Sequence, residues 1–194
     1  MDNNHINSRR DFVKQVSVVA GGLLAAPLIA GANYFSGADD VIKIALIGCG
    51  GRGTGAAVQA LLSKQNVRLV AMADVFKDRI DSSDDLLTSA LSEWSGGTSG
   101  NDKLDLKKMI EVTEERKFVG FDAYLKAIAL ADVVILTTPP GFRPLHFEEA
   151  VRQGKHVFME KPVATDPAGV QQVLAAAKIA KQKKLNVIVG LQRH

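Results

Sequence analysis

The sequence has little of what marks several classes of protein. Cys49 is the single cysteine among 194 residues, so an internal disulfide is excluded. The formal net charge is only +3, and no block of basic residues alternates with aromatic ones, so nothing indicates a nucleic-acid partner. No internal repeat is visible, and no metal site is predicted. What is present, 46% hydrophobic and 23% charged residues, is typical of one globular domain plus an appendage.

The first 38 residues differ from the rest and have the pattern of an export signal. Arg9 and Arg10 precede an apolar segment, VSVVAGGLLAAPLIAGA, which ends in small residues at Ala30 to Ala32. That order is typical of a secretory signal, and the paired arginines indicate the twin-arginine route. An uncleaved membrane anchor is the alternative, although the glycines and the proline of the segment disfavour it. We expect a periplasmic or otherwise exported protein with no stable membrane insertion after cleavage.

From Asp39 to the end, apolar runs alternate with helical patterns. The runs are short and nearly continuously apolar, as in parallel strands that are covered on both faces. They cover residues 41–48, 67–74, 132–140, 155–162 and 185–192, with a weaker candidate at 117–121. Strands that alternate with helices predict that residues 39–194 form an α/β domain, a doubly wound parallel sheet of the Rossmann type with helices on both faces.

Two helices between these strands have clear ends. The first covers residues 145–153, with Gly154 as its C-terminal stop. The second covers residues 167–183, and Asp166 is a suitable N-cap for it. Its residues at helical spacing, Val170, Val173, Leu174 and Ala177, predict a single apolar face that packs on the core.

Residues 77–116 interrupt the alternation of strands and helices. Helical patterns occur at 82–94 and at 105–116, and the stretch between them, SGGTSGND, is typical of a flexible loop. We interpret this region as a helical insertion on the rim of the sheet.

A glycine-rich loop lies directly between the first strand and a helix. Gly48, Gly50 and Gly53 form the pattern G-x-G-x-x-G, with Gly51 and Arg52 inside it. The first glycine permits a tight turn, the second lets a pyrophosphate approach, and the third lets the helix pack closely. The phosphates then lie at the helix N-terminus, where free N–H groups and the dipole favour an anion. The alternative is a glycine turn without a ligand.

An acidic residue follows this loop at the spacing of a dinucleotide-binding unit. Asp74 ends the second strand, 21 residues after Gly53, and can accept hydrogen bonds from an adenosine ribose. Because a carboxylate there repels a 2′-phosphate, the predicted cofactor is NAD. Lys77, Arg79 and Arg52 are cations that can compensate, so NADP is the open alternative.

A second informative stretch is TPPGFRPLHFEEAVRQGKHVFMEKPVA, residues 138–164. The glycine loop, the pair Thr138-Pro139, His146 and the tripeptide that begins at Glu160 occur in the order found in the Gfo/Idh/MocA family of sugar-related oxidoreductases. The chain resembles that family from Ile42 to its end. Together with the export signal, it is similar to the exported glucose–fructose oxidoreductase branch.

The resemblance implies roles for residues at the ends of the strands. Glu160 and Lys161 lie beside the nicotinamide half of the cofactor, and the lysine contacts substrate and assists proton transfer at the reacting hydroxyl. Thr138, Pro139 and His146 are implied at the cofactor-binding edge, with Pro139 against the cofactor. A structural role is the alternative for His146, and a surface ion pair of little consequence is the alternative for Glu160 with Lys161.

The resemblance also implies a second domain, which supplies the substrate pocket, further catalytic residues and usually the oligomer contact. The sequence ends at GLQRH, directly after the last predicted strand, so we expect that domain in a longer protein or on another chain. The implied full-length activity is NAD(P)-dependent oxidation of a sugar or sugar-derivative hydroxyl by a homo-oligomer, with this part alone inactive. Two alternatives stay open: an NAD-dependent glycosidase of the same family and a dinucleotide-binding module without catalysis.

Overall fold

A computed structural model describes residues 41–63, 66–97 and 106–191. The predicted export signal at residues 1–38 lies outside the described residues. The strands are β1 Ile42–Ile47, β2 Val67–Asp74, β3 Lys117–Val119, β4 Val133–Leu136, β5 His156–Glu160 and β6 Val187–Gly190. The helices are α1 Gly51–Leu61, α2 Lys77–Gly97, α3 Leu106–Met109, α4 Ala123–Ala129, α5 Arg143–Arg152 and α6 Pro167–Gln182, with a 3-10 turn at Glu114–Arg116 before β3. None of the helices described is both long and apolar enough to cross a bilayer.

The six strands form one parallel sheet in the order β3-β2-β1-β4-β5-β6. The chain moves outward from β1 to β3 and then returns to the other side of β1 to begin β4. The strand order therefore reverses between β1 and β4, and ligands of open α/β sheets bind outside the carboxyl ends of the strands at such a point. The predicted doubly wound parallel sheet is confirmed, and so is the weak strand candidate, which forms β3 on the edge.

Helices cover both faces of the sheet, and alternate residues of β1 show why. Ala45 and Ile47 pack into one core cluster with residues of α4, α5 and α6. Ile44 and Leu46 point the other way, into a second cluster with residues of α1 and α2. Because successive side chains of a strand point to opposite faces, a nearly continuous apolar run supplies both cores at once.

The two helices with clear ends occur where the sequence predicts them. α5 is followed by Gly154 at φ 72°, and the Asp166 carboxylate caps α6 by accepting a hydrogen bond from the Gly169 N–H at 2.9 Å. The predicted apolar face of α6 is wrong in part, because Val170 and Leu174 are 39% and 51% exposed. A stripe of small residues faces inward around Val173, and a Cβ on Gly169 would lie only 3.1 Å from Pro144 Cγ. This close approach to α5 explains why small residues, and not the large ones, are buried.

The insertion differs from its prediction in two ways. α2 runs without a break through Gly97, so the first three residues of the predicted loop are helical. The second predicted helix, at 105–116, is only the single turn α3. Beyond it Ile110 bridges to Leu69, and the Glu111 N–H donates to the Leu69 carbonyl at 2.8 Å. The unpaired edge of β2 offers backbone partners at this point, and the chain uses them instead of continuing a helix.

Candidate functional site

A cavity of about 830 Å³ opens at the carboxyl ends of the strands. Its walls come from both sides of the point where the strand order reverses. We call the part lined by Asp74, Phe76 and Arg79 the β2 side, and the part lined by Thr138, Glu160 and Lys161 the β5 side. The glycine loop lies between the two sides, and the volume is in the range of small-molecule and cofactor sites.

The three glycines of the motif have three different reasons to lack a side chain. Gly48 has φ 95°, and a Cβ there would lie 2.7 Å from the Thr138 nitrogen. A Cβ on Gly53 would lie 2.1 Å from the Gly48 carbonyl oxygen. Gly50 lines the cavity, and a Cβ on it would meet nothing within 4 Å. Gly48 and Gly53 therefore shape the loop, whereas Gly50 keeps space open for a ligand.

Helix α1 begins at the cavity with a free N-terminus. Gly50 is its N-cap in an extended conformation, and no side chain caps the first turn. Gly51 is the first helical residue, and it is exposed. Uncapped N–H groups and the positive end of the helix dipole make this turn suitable for an anion such as a pyrophosphate.

Asp74 is tied to the glycine loop by its own carboxylate. One carboxylate oxygen accepts the Cys49 N–H at 2.7 Å, and the other accepts the Phe76 N–H at 3.1 Å. Burial, together with the charge of Asp74, raises the pKa of the Cys49 thiol well above its usual range, so this cysteine is inert. Asp74 is only half-buried, and a carboxylate oxygen can accept more than one hydrogen bond. It can therefore hold the loop and bind a ribose together.

The three cations that could compensate the charge of Asp74 separate in the structure. Arg52 extends to the β5 side, where its Nε donates to a Glu160 oxygen at 2.8 Å and its Nη2 lies 2.5 Å from the same atom. Lys77 pairs with Asp81 at 2.8 Å, one helical turn along α2. Arg79 remains on the β2 side as a lining residue of the cavity. Of the three, Arg79 is the one placed to meet a 2′-phosphate.

The β2 side also carries aromatic rings that face solvent. Phe76 and Phe121 are 62% and 67% exposed, and both line the cavity. The Phe121 ring lies 6.1 Å from that of Phe142, centroid to centroid. Exposed apolar rings beside a cavity offer stacking surfaces for a planar group such as a nucleobase.

Two threonines at the end of β4 connect neighbouring parts of the site. Thr137 Oγ1 donates to the Gly48 carbonyl at 2.7 Å, which fastens β4 to the glycine loop. Thr138 Oγ1 lies 3.1 Å from Nδ1 of His146, in the first turn of α5. Pro139 follows and lines the cavity.

His146 is buried at the wall of the cavity. Its ring packs against that of Tyr124, with centroids 4.3 Å apart and the planes tilted by 34°. Burial and the nearby charge of Arg143 lower the pKa of His146 to about 4. The imidazole is therefore neutral at pH 7, and it positions Thr138 and Tyr124 rather than supplying charge.

Lys161 follows β5 at the rim of the cavity. Its side chain is exposed, while that of Glu160 before it is buried and pairs with Arg52 instead of with the lysine. The partner of Glu160 on β6 is Gly190, and a Cβ there would lie 2.6 Å from a Glu160 oxygen. The missing side chain of Gly190 therefore makes room for the Glu160 carboxylate. The carboxylate is thus occupied, and the Lys161 ammonium is available to a ligand in the cavity.

One residue of the site has no counterpart in the sequence motifs. Arg143 is 3% exposed, and its guanidinium donates to the carbonyls of Thr138 and Pro162. Burial lowers its pKa, and the charge of Glu160 opposes that shift, so the group stays protonated at neutral pH. The sequence predicts the helix only from residue 145, so Arg143 lies outside the prediction, and the structure makes it the first helical residue, where the dipole disfavours a cation.

The structure brings the predicted site residues together with two exceptions. The predicted catalytic and cofactor-binding residues all line the cavity except Gly51, which is exposed, and Gly53, which is buried; the candidate cation Lys77 does not line it either. Across the described ranges, no three metal-ligating side chains converge on one point.

The family is decided by a match that covers most of the chain. A model of the Gfo/Idh/MocA family, described as an oxidoreductase family with an NAD-binding Rossmann fold, matches residues 42–191. The chain belongs to the Gfo/Idh/MocA family. No curated protein matches it.

Solved structures share the fold of this Gfo/Idh/MocA domain. Scyllo-inositol dehydrogenase from Lactobacillus casei, with bound NAD(H) and scyllo-inositol, is 24% identical with a TM-score of 0.54. The match covers 78% of this chain and 36% of that one. A putative myo-inositol dehydrogenase from Sinorhizobium meliloti 1021 is 25% identical over 77% of this chain and 36% of its own, with a TM-score of 0.52. The chain therefore spans about a third of the length of these proteins.

The residues present fit the dinucleotide that this family binds. An uncapped helix N-terminus suits the pyrophosphate, and Gly50 leaves room for it. Asp74 on the β2 side suits the adenosine ribose, and the opposite, β5 side leaves room for the other half of a dinucleotide. The cavity of this Gfo/Idh/MocA domain thus has an acceptor on the β2 side, an anion site at α1 and a cation on the β5 side, a set that fits a dinucleotide.

Proposed function

We propose that this chain is the dinucleotide-binding part of an NAD-dependent oxidoreductase that acts on a hydroxyl of a sugar or sugar derivative. The observation that carries the proposal is that one cavity is lined by both the glycine loop and Lys161. The loop supplies the anion site, and the lysine supplies a cation where a reacting hydroxyl can lie.

The nicotinamide, when bound, supplies the acceptor for hydride from the carbon that bears the hydroxyl. The chain's own part is to stabilise negative charge at the hydroxyl oxygen as the hydroxyl proton is released to water. The Lys161 ammonium can donate a hydrogen bond to the alkoxide that develops there, because Glu160 is already paired with Arg52. Buried Arg143 donates to the Pro162 carbonyl and so holds the loop that begins at Lys161.

The proposed substrate class rests on the similarity of this chain to solved structures. The solved structures with this fold include a scyllo-inositol dehydrogenase with bound scyllo-inositol, a ring polyol, and a putative myo-inositol dehydrogenase. The substrate pocket and the oligomer contact are expected from a second domain, as the family resemblance implies. We therefore propose a cyclic polyol or sugar as substrate and a homo-oligomer as the working form.

NAD is the proposed cofactor in preference to NADP. Half-buried Asp74 faces the β2 side, where a 2′-phosphate would meet its negative charge. Arg52 and Lys77 are held by Glu160 and Asp81, which leaves Arg79 as the compensating cation on that side. Use of NADP would therefore depend on Arg79.

The proposed location is the periplasm or beyond, reached through the twin-arginine route. This route carries folded proteins, which suits a protein that loads its cofactor before export. Changing Arg9 and Arg10 together to lysine should leave the precursor in the cytoplasm, as cell fractionation would show. Normal export of that variant would contradict the assignment.

Two measurements test the proposed activity. Calorimetry with NADH measures binding by the chain, and NADH formation from inositols and aldoses measures turnover by the full-length protein. Net NADH formation supports the dehydrogenase. Cleavage of an aryl glycoside without net NADH would indicate the glycosidase instead, and tight binding with neither reaction would indicate a module without catalysis.

A further inference from the structure

Arg143 occupies a position that local structure does not explain. It is the first residue of α5, where the helix dipole is positive and a cation is disfavoured. It is also 3% exposed, and burying a guanidinium is costly unless other groups bond to it. Its presence therefore depends on contacts outside its own helix.

Those contacts join two loops. Nη1 donates to the Pro162 carbonyl in the loop after β5, and Nη2 donates to the Thr138 carbonyl in the loop after β4. β4 and β5 are neighbouring parallel strands, so both loops leave the same edge of the sheet. One loop continues into Pro139 and the other begins with Lys161, and both residues line the β5 side of the cavity.

The shape of the Arg143 guanidinium explains these two hydrogen bonds better than its charge does. Glu160 is the nearby carboxylate that acts on Arg143 electrostatically, but its ion pair is with Arg52. Nε of Arg143 is buried and has no hydrogen-bond partner within the part of the chain that the structure describes. The two outer nitrogens carry the bonds, and they diverge as the fork of a guanidinium does.

We propose that Arg143 is a positioning residue for the nicotinamide half of the dinucleotide, because its guanidinium fixes the spacing between the Thr138-Pro139 loop and the Lys161-Pro162 loop. The inference rests on the proposed function, which places that half on the β5 side. Arg143 acts through the two loops and needs no contact with the cofactor. Lysine cannot replace it, since one ammonium group does not reproduce a fork that reaches two fixed carbonyls.

The test compares two ligands that differ only in the nicotinamide. NADH and ADP-ribose are titrated calorimetrically into the intact wild-type chain and into Arg143→Lys and Arg143→Met. The matched control is Arg152→Met, which removes an exposed arginine from the last turn of the same helix. Circular dichroism on heating checks that each variant is folded.

We expect NADH affinity to fall about tenfold in both Arg143 variants, the size of effect that loss of a charge-assisted hydrogen bond gives. ADP-ribose affinity should stay within about twofold of wild type, because its binding groups lie at the glycine loop and the β2 side. Arg152→Met should leave both affinities unchanged. In the full-length protein, Arg143→Lys should lower kcat while KM for the substrate changes little.

Three results would overturn the role of Arg143. An equal loss of affinity for NADH and for ADP-ribose, or unfolding of both Arg143 variants, would mean that Arg143 supports the whole domain. Full recovery of NADH affinity in Arg143→Lys would mean that charge alone matters. A wild-type chain that binds neither ligand would instead overturn the proposed function itself, so the two failures are distinguishable.

Discussion

The β2 side and the β5 side of the cavity meet at the glycine loop, and they are formed by different kinds of chemical group. Toward the β2 side, backbone groups and missing side chains do most of the shaping: Gly48, Gly50 and Gly53, the uncapped turn of α1, and the Cys49 N–H that Asp74 accepts. The β5 side is shaped by buried charge, since Glu160 and Arg143 are buried and line the cavity together with Lys161.

This difference has a physical basis. The pyrophosphate is the same in NAD and NADP, and N–H groups at a helix start can bind it without any particular side chain. Proton transfer at a hydroxyl needs an ionisable group at one place, and holding that group requires neighbours that are themselves charged and bonded. We therefore expect changes on the two sides to separate binding from turnover.

Lys161→Ala in the full-length protein should separate turnover from cofactor binding by the largest factor. General acid–base assistance is worth about 10²–10⁴-fold, so turnover should fall by that order. NAD affinity should stay nearly intact, because the anion site is at α1. Steady-state kinetics with parallel NADH titration measures both quantities.

Lys155→Ala, at the opposite end of β5, is the control and should retain turnover. Unchanged turnover in Lys161→Ala would remove Lys161 from the mechanism. A matching loss of NAD affinity would make it a binding residue instead.

Gly50→Val should do the opposite and strongly weaken NADH binding without unfolding the domain. A Cβ on Gly50 meets nothing within 4 Å and the backbone is extended there, so the fold tolerates a side chain. That side chain enters the space for the pyrophosphate, and we expect NADH affinity to fall about 100-fold, as when charged hydrogen bonds are lost. Calorimetry and thermal unfolding distinguish the two effects.

Two other glycines of the loop serve as comparisons. Gly51→Ala should bind NADH normally, because its Cβ is also unobstructed and it does not line the cavity. Gly53→Ala should lower the free energy of unfolding by about 1–3 kcal/mol, because its Cβ would overlap the Gly48 carbonyl. Unchanged NADH affinity in Gly50→Val would refute the assignment of the loop.

Asp74→Ser should have a smaller effect, on the choice of cofactor. Removing the carboxylate removes repulsion of a 2′-phosphate, so the preference for NADH over NADPH should fall about tenfold. Affinity for NADH should also decline, since Asp74 holds the Cys49 N–H.

Arg79→Ala is the complementary variant, and it should weaken NADPH binding and spare NADH. Titration with both cofactors measures the ratio. A wild-type chain that already prefers NADPH would show that the interpretation of Asp74 is wrong.

The same contrast explains what the sequence could predict. The glycine loop and Asp74 are local signals whose spacing follows from the geometry of one strand, one turn and one helix, so their meeting at the cavity was predictable. The strands were predictable because buried parallel strands are apolar on both faces. On the β5 side, Lys161 and Glu160 were recognised through the family resemblance and not from spacing.

Contacts between distant segments account for what was missed. Arg52 and Glu160 are 108 residues apart, and nothing in either neighbourhood indicates their pairing. Arg143 looks like an ordinary helix-start residue until the carbonyls of Thr138 and Pro162 are in place. The helix predicted at 105–116 is shortened by the edge of β2, a partner that the local pattern does not include. Tertiary partners decided each of these cases.

The smallest predicted effect concerns pH and tests whether the β5 side depends on a neutral histidine. Burial lowers the pKa of His146 from 6.5 to about 4, so between those values the unfolded chain binds a proton that the folded chain does not. Stability should therefore be complete above about pH 6.5 and should decline as pH falls toward 4. From pH 7 to pH 5 this loss is about 1–2 kcal/mol of unfolding free energy. Urea unfolding at both pH values measures it, and His146→Phe should reduce the difference. An unchanged pH dependence in that variant would show that other groups carry it.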